Sequence, residues 1–259
     1  MLGAIAGDVI GSVHEGAGTK TRDFELFHPA CRFTDDTVLT VAVAHRLLHG
    51  GEYTDHFHDY FHAWPDAGFG GTFFHWAAAR DREPYNSYGN GAAMRVSPVG
   101  FAHDSLEEVL DEAERSAAVS HDHPEGIRGA QATAVAILLA RQGHSKPEIK
   151  AVIVERFGYD LDRTLDEIRP GYRFDVSCQG SVPESIIAFL ESEGYEDAIR
   201  NAISLGGDAD TMACIAGGIA EAFYGGVPAE IEERVVELLD PRLRAIVEDF
   251  RERFGIGAW

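Results

Sequence analysis

The sequence predicts an all-α fold with roughly ten or more short helices. Apolar residues recur at the three- and four-residue spacing of an amphipathic helix along most of the chain. Several of these segments end at glycine or are followed by proline, as at residues 49–51 and 225–228. Alternating runs of β-branched residues are scarce. We therefore expect one compact domain over residues 1–259, without a linker or an internal repeat.

The predicted elements follow in chain order. Gly3, Gly7 and Gly11 occupy every fourth position and share one face of a first helix, which favours close approach of another backbone or of a ligand. Residues 147–157 suit a helix or a strand equally well, and 152–154 is the most strand-like stretch of the chain. The other predicted helices cover residues 38–48, 130–140, 186–190, 212–223, 231–239 and 243–254.

Composition limits the function classes. The chain has 22 basic and 43 acidic residues, a formal net charge of −21. An extended nucleic-acid surface needs clustered Lys and Arg, so this charge disfavours one, although amides and cations can still hold a nucleotide-sized anion. Cys31, Cys178 and Cys214 are far apart and form no CxxC, which favours the cytoplasm. We expect no membrane segment, and a monomer because no heptad seam is present.

Two clusters of acids and hydroxyls directly precede apolar helices. The first is Thr-Asp-Asp-Thr at residues 34–37, and the second is Gly-Gly-Asp-Ala-Asp-Thr at residues 206–211. Helix capping explains one acid in each cluster. It does not explain the second acid, because neighbouring carboxylates in apolar surroundings repel one another unless a cation compensates. An all-oxygen ligand set favours Mg²⁺ or Mn²⁺ over zinc.

Other segments leave alternatives open. Glu15 stands beside glycines in a segment that suits a mobile catalytic loop or an ordinary surface loop. Residues 85–91 suit a diphosphate-binding turn or a plain Asn-Gly turn, and residues 69–72 resemble them weakly. The pairs His121-Asp122 and His58-Asp59 resemble the dyad of HD-type phosphohydrolases, which would leave both acidic clusters unexplained.

Five motifs in one order resemble the ADP-ribosylglycohydrolase family. They are Gly-Asp-x-x-Gly-x-x-x-Glu at residues 7–15, Thr-Asp-Asp-Thr at 34–37, Ser-Tyr-Gly-Asn-Gly-x-x-Met-Arg at 87–95, Ser-His at 120–121 and Gly-Gly-Asp-x-Asp-Thr at 206–211. The resemblance implies an orthogonal helical bundle and a hydrolase that cleaves the N- or O-glycosidic bond between ADP-ribose and an acceptor. It implies two divalent ions, Mg²⁺ or Mn²⁺, and an ADP-ribosylated substrate, such as a modified protein, as partner.

The same resemblance implies roles for residues of this chain. Glu15 and Asp36 are the implied catalytic residues. The implied metal ligands are Thr34, Asp35, Asp36, Asp208, Asp210 and Thr211. The implied ligand-binding residues are Gly70, Gly71, Ser87, Tyr88, Gly89, Asn90, Gly91 and His121. Two alternatives stay open: a non-catalytic ADP-ribose-binding or structural protein of the same fold, and the less favoured HD-type phosphohydrolase.

Overall fold

The computed structural model describes residues 1–256, so the last three residues of the predicted domain lie outside the described part. Within it, fifteen α-helices form and no strand does, although an isolated bridge joins Gly89 to Ser177. The prediction of an all-α fold is confirmed. None of the helices between residues 1 and 256 has the length and apolar composition that a membrane crossing requires.

The first eight helices are α1 (Leu2–Gly11), α2 (Asp35–His49), α3 (Tyr53–Ala63), α4 (Gly71–Ala78), α5 (Gly91–Met94), α6 (Ser97–Ala102), α7 (Leu106–Ala118) and α8 (Pro124–Arg141). The remaining seven are α9 (Lys146–Phe157), α10 (Leu165–Ile168), α11 (Cys178–Leu190), α12 (Tyr195–Ile203), α13 (Ala209–Tyr224), α14 (Ala229–Leu238) and α15 (Pro241–Phe254). Each helix predicted from periodicity lies within or across one of these elements.

Local capping decides the ambiguous segment in favour of helix α9. The side chain of Glu148 accepts a hydrogen bond from the amide of Ser145 at 2.8 Å, which satisfies a free donor ahead of the first turn. Gly158 then ends the helix in the left-handed region, with a φ of 70°. Ile149 and Ile153, one turn apart, are buried against the core.

Helix α1 lies at the centre of the fold, buried along its whole length and packed along α13. A Cβ atom at Gly7 would lie 2.1 Å from the carbonyl oxygen of Ala213, and one at Gly11 would lie 2.5 Å from Cα of Asp210. The small-residue face of α1 therefore packs against another backbone. This contact places the end of α1 beside the start of α13, which carries the second acidic cluster.

Candidate active site

Asp8, in the middle of the buried helix α1, holds the start of α2. Its Oδ2 accepts the amides of Thr34 at 2.9 Å and Thr37 at 3.1 Å. Its carboxylate also accepts both threonine hydroxyls, that of Thr34 at 2.6 Å. Four donors thus surround one carboxylate that is 0% exposed. Because α1 also packs on α13, Asp8 fixes the first acidic cluster relative to the second.

Capping does not occupy either acid of the first cluster. The N-cap of α2 is Thr34, whose hydroxyl accepts the amide of Asp36 at 3.3 Å. Asp36 is buried, and its Oδ1 has no hydrogen-bond partner among the described residues. The carboxylate of Asp35 is also free of a capping role, while its amide donates to the carbonyl oxygen of Ala67 at 3.0 Å. Both carboxylates are therefore left to serve another purpose.

The second cluster shows the same pattern. Asp208 stands at the N-cap position of α13 but makes no side-chain capping bond. Its Oδ2 instead accepts from Nδ2 of Asn90 at 2.8 Å, so the Asn-Gly turn contacts the acidic cluster. Asp210 accepts the amide of its neighbour Thr211 at 2.9 Å. The side chains of these four residues, Asn90, Asp208, Asp210 and Thr211, are buried.

The two clusters meet in space. The hydroxyl of Thr211 donates to Oδ2 of Asp36 at 3.4 Å, across 175 residues of sequence. Single carboxylate oxygens of Asp8, Asp36 and Asp210 lie within 4.8 Å of one another, and so do those of Glu15, Asp208 and Asp210. The sequence could not show this juxtaposition, which results from the packing of α1 between α2 and α13.

The ionisation of these acids is strongly perturbed. Burial, reinforced by the nearby Asp8 carboxylate, raises the pKa of Asp35 to about 8. Burial first, and then the charge of Asp210, raises the pKa of Asp36 well above the usual value. Burial first, and then the charge of Asp208, does the same for Asp210. So many desolvated carboxyls cannot all ionise without a compensating cation. A crowded oxygen donor set with an unpartnered Asp36 oxygen fits a hard divalent ion.

A cavity of about 340 Å³ opens over the meeting point of the clusters. All the predicted site residues except Tyr88 line this cavity. The lining residues from that set are Glu15, Thr34, Asp35, Asp36, Gly70, Gly71, Ser87, Gly89, Asn90, Gly91, His121, Asp208, Asp210 and Thr211. The side chain of Tyr88 is 52% exposed and packs edge-on against His123, with ring centroids 5.4 Å apart.

The glycine turn faces the cavity, but part of its backbone is already bonded. The amide of Gly89 donates to Oγ of Ser87 at 3.1 Å, and that of Asn90 donates to the carbonyl oxygen of Val176 at 2.7 Å. These two amides are therefore not free for a ligand. His121 faces the same turn, because a Cβ atom at Gly91 would lie 3.0 Å from its Nε2.

Glu15 lies in the α1–α2 connection at the mouth of the cavity. Partial desolvation, and then the charge of Asp208, raises the pKa of its carboxyl, while Arg32 opposes the shift. The neighbouring Gly16 and Gly18 have φ values of 66° and 68° and no atom near their Cβ positions. Five residues further along the same connection, Nζ of Lys20 donates to the carbonyl oxygens of Tyr172 at 2.7 Å and of Leu205, which fixes this part of the connection.

Several residues that shape the site had no role in the sequence prediction. The signal for Asp8 was an acid inside an apolar helix, and Arg95 was part of a motif without a stated purpose. Arg32, Phe174 and Val176 also line the cavity. No local sequence pattern identifies these three residues as part of a site. Arg32 lies in the connection before α2, and Phe174 and Val176 lie in an irregular segment between α10 and α11.

The chain belongs to the ADP-ribosylglycohydrolase family, whose sequence model matches residues 1–257. The family resemblance predicted from the five motifs is confirmed. With it comes the class of enzyme, a hydrolase that acts on ADP-ribose glycosidic bonds. Within residues 1–256, the two groups that could bind an ion consist of aspartates and a glutamate.

The similar proteins include characterised and solved relatives. ADP-ribosylhydrolase ARH3 of Homo sapiens is 28% identical over 87% of this chain and 84% of its own length. ADP-ribosylarginine hydrolase Tri1 of Pseudomonas putida (strain GB-1) is 31% identical over 57% of this chain and 42% of its own. A solved structure described as an ADP-ribosylglycohydrolase-related protein complex has a TM-score of 0.72 at 25% identity, covering 97% of this chain and 95% of that one.

Proposed function

We propose that this protein is a divalent-metal-dependent hydrolase that releases ADP-ribose from an ADP-ribosylated acceptor and so reverses ADP-ribosylation. The observation that carries this proposal is the convergence of the two acidic clusters at the base of one cavity. Each cluster alone resembles a capped helix, but together they place desolvated carboxylates around a space that also contacts a glycine turn. The N- or O-linked acceptor is a modified protein side chain or a related conjugate.

Six residues would hold two divalent ions, Mg²⁺ or Mn²⁺. They are Thr34, Asp35, Asp36, Asp208, Asp210 and Thr211. When bound, the ions would supply Lewis-acid chemistry beside the ribose next to the bond that breaks. The protein's own contribution is to keep this oxygen set in place: Asp8 holds Thr34, Asn90 holds Asp208, and the Thr211 hydroxyl orients Asp36.

Glu15 and Asp36 are the residues that we propose for proton transfer. Partial desolvation raises the pKa of Glu15, which shifts its carboxyl toward the protonated form that can donate a proton to the leaving atom of the acceptor. Asp36 is deeply buried and held by Thr211, so it suits a fixed base at the cavity floor that takes a proton from the water attacking the anomeric carbon of the ribose. Cleavage of a glycosidic bond passes through an oxocarbenium-like state, which nearby carboxylates stabilise.

The rest of the cavity suits the ADP portion. His121 and the part of the glycine turn beyond the bonded amides of Gly89 and Asn90 offer neutral donors for the diphosphate, so a chain with a net charge of −21 needs no lysine there. Phe174 lines the cavity and is 50% exposed, so it offers a ring on which the adenine can stack, whereas Tyr88 is 52% exposed and lies outside the cavity lining. We further propose that the protein works in the cytoplasm, since its three cysteines are free and buried. We propose a monomer because the sequence has no heptad seam.

A panel of defined substrates tests this function. ADP-ribosyl-serine and ADP-ribosyl-arginine peptides and an ADP-ribosylated oligonucleotide are each incubated with Mg²⁺, Mn²⁺ or EDTA, and free ADP-ribose is quantified. We expect metal-dependent release from at least one peptide. ADP-ribose binding by calorimetry without release from any substrate would instead favour the non-catalytic alternative. The absence of both ADP-ribose binding and ADP-ribose release would overturn the proposal.

A further inference from the structure

Arg95 is a charged side chain that the proposed chemistry does not use. It is 0% exposed, yet it contributes to the wall of the cavity. Its guanidinium lies 4.3 Å from the ring centroid of Phe57. Its Nη2 donates to the carbonyl oxygen of Ser116 at 2.8 Å and to Oγ of Ser120 at 2.9 Å, and neither acceptor is charged. Its Nε and Nη1 have no partner among the described residues.

Ser120 connects this guanidinium to His121. Oγ of Ser120 lies 2.8 Å from Nδ1 of His121. A serine hydroxyl accepts two hydrogen bonds and donates one. The guanidinium of Arg95 can only donate to Oγ of Ser120, so the hydroxyl hydrogen of that serine points elsewhere, and Nδ1 of His121 is placed to accept it.

The state of His121 follows from this proton count. Burial, and then the charge of Arg95, lowers the pKa of His121 well below its usual value, so the ring is neutral. A neutral imidazole has one N–H, and the nitrogen that accepts from Ser120 cannot carry it. The proton is therefore on Nε2, which faces the Gly89–Gly91 turn and has no partner in the described part of the chain.

We propose that Arg95 and Ser120 are positioning residues that fix His121 as a neutral Nε2–H donor for the diphosphate of the ADP-ribosyl group. This rests on the proposed function for the identity of the ligand. A histidine without this contact would exchange between two tautomers. In the Nδ1–H tautomer, Nε2 carries no proton and cannot donate a hydrogen bond to an anionic oxygen. The chain Arg95–Ser120–His121 removes that exchange. It also explains why Gly91 has no side chain, because a Cβ there would crowd Nε2.

Nitrogen NMR of the imidazole tests the proton arrangement directly. The signals of His121 are assigned by their loss in His121→Gln, and the wild-type ring is expected as the Nε2–H tautomer across neutral pH. Ser120→Ala should release the ring into a mixture of tautomers. Ser116→Ala is the matched control, because Ser116 is an equally buried serine whose contact with Arg95 uses only its backbone carbonyl. That variant should keep the wild-type signals.

Binding and turnover supply the second measurement. Loss of one well-placed hydrogen bond should weaken ADP-ribose binding about threefold to tenfold in Ser120→Ala. The same variant should raise KM and leave kcat within about twofold, whereas Ser116→Ala should change neither. Arg95→Lys should produce the same changes as Ser120→Ala, a mixture of tautomers and a higher KM. If the lysine variant does not fold, the test rests on Ser120→Ala.

Two results would overturn the inference: an Nδ1–H tautomer in the wild type, or equal ADP-ribose affinity for Ser120→Ala and Ser116→Ala. Failure of the proposed function is distinct, because it would appear as absent ADP-ribose release from every substrate while the tautomer remains measurable.

Discussion

Replacement of Asp8 by alanine should destabilise the protein through α2, far along the chain from the mutation. The change removes the acceptor for the buried amides of Thr34 and Thr37. One orphaned buried donor costs about 1–3 kcal/mol, so two cost about 2–6 kcal/mol. Loss of the desolvated carboxyl itself offsets part of this, which places the expected loss in the lower half of that range.

Thermal unfolding followed by circular dichroism in EDTA measures this loss. The lower half of that range is about 2–4 kcal/mol, and in a chain of this length 1 kcal/mol corresponds to roughly 2–4 °C in Tm, so Asp8→Ala should unfold roughly 4–16 °C below the wild type. Asp8→Asn is the matched control. Both amides donate to the same atom, Oδ2, so an asparagine with its oxygen there keeps both bonds. Its Tm should fall by less than half as much.

Two outcomes would refute this account of Asp8. An Asp8→Ala variant that unfolds within about 1 °C of the wild type would show that the four hydrogen bonds do not stabilise the start of α2. An Asp8→Asn variant as unstable as Asp8→Ala would show that the charge, and not the geometry of the acceptor, is what matters.

Three further predictions concern packing, pH and proton transfer. Gly7→Ala places a Cβ 2.1 Å from a backbone oxygen of α13 and should cost about 1–3 kcal/mol, whereas Gly171→Ala, with nothing within 4 Å, should leave Tm unchanged. Burial raises the pKa of Asp35 to about 8, so the metal-free folded protein holds a proton that the unfolded chain releases. The free energy of unfolding should therefore fall as pH rises from 5 to 8, and the profile of Asp35→Asn should be flatter. A free energy of unfolding that rises over this range would contradict the pKa shift. Glu15→Gln should lower kcat about 100-fold or more with little change in ADP-ribose affinity, and an unchanged kcat would exclude Glu15 as the acid.

The helices were predictable because each buries a stripe of apolar residues at helical spacing. The close packing of α1 was predictable for a similar reason, since three glycines four residues apart leave a smooth face. The segment at residues 147–157 was ambiguous because β-branched residues suit both states. It was decided by the capping side chain of Glu148 and by a left-handed glycine, which are local features that periodicity ignores.

The acids of the site were visible in sequence, but their support was not. Thr34 caps α2, which leaves Asp35 and Asp36 free, and sequence alone could not separate these roles among adjacent capping residues. Asp8 bonds across 26 residues and Asn90 across 118, so neither contact has a local signal. The amides of Gly89 and Asn90 looked available in the motif, yet tertiary contacts use both.

The central claim is that the two acidic clusters bind divalent ions on which glycosidic cleavage depends. The most direct measurement is ADP-ribose release by the metal-stripped protein during titration with Mg²⁺ or Mn²⁺, alongside Asp208→Ala combined with Asp210→Ala. The account predicts no release in EDTA, recovery of the wild type on addition of metal, and no recovery of the folded double variant. Full release by the wild type in EDTA, or by the double variant, would contradict it.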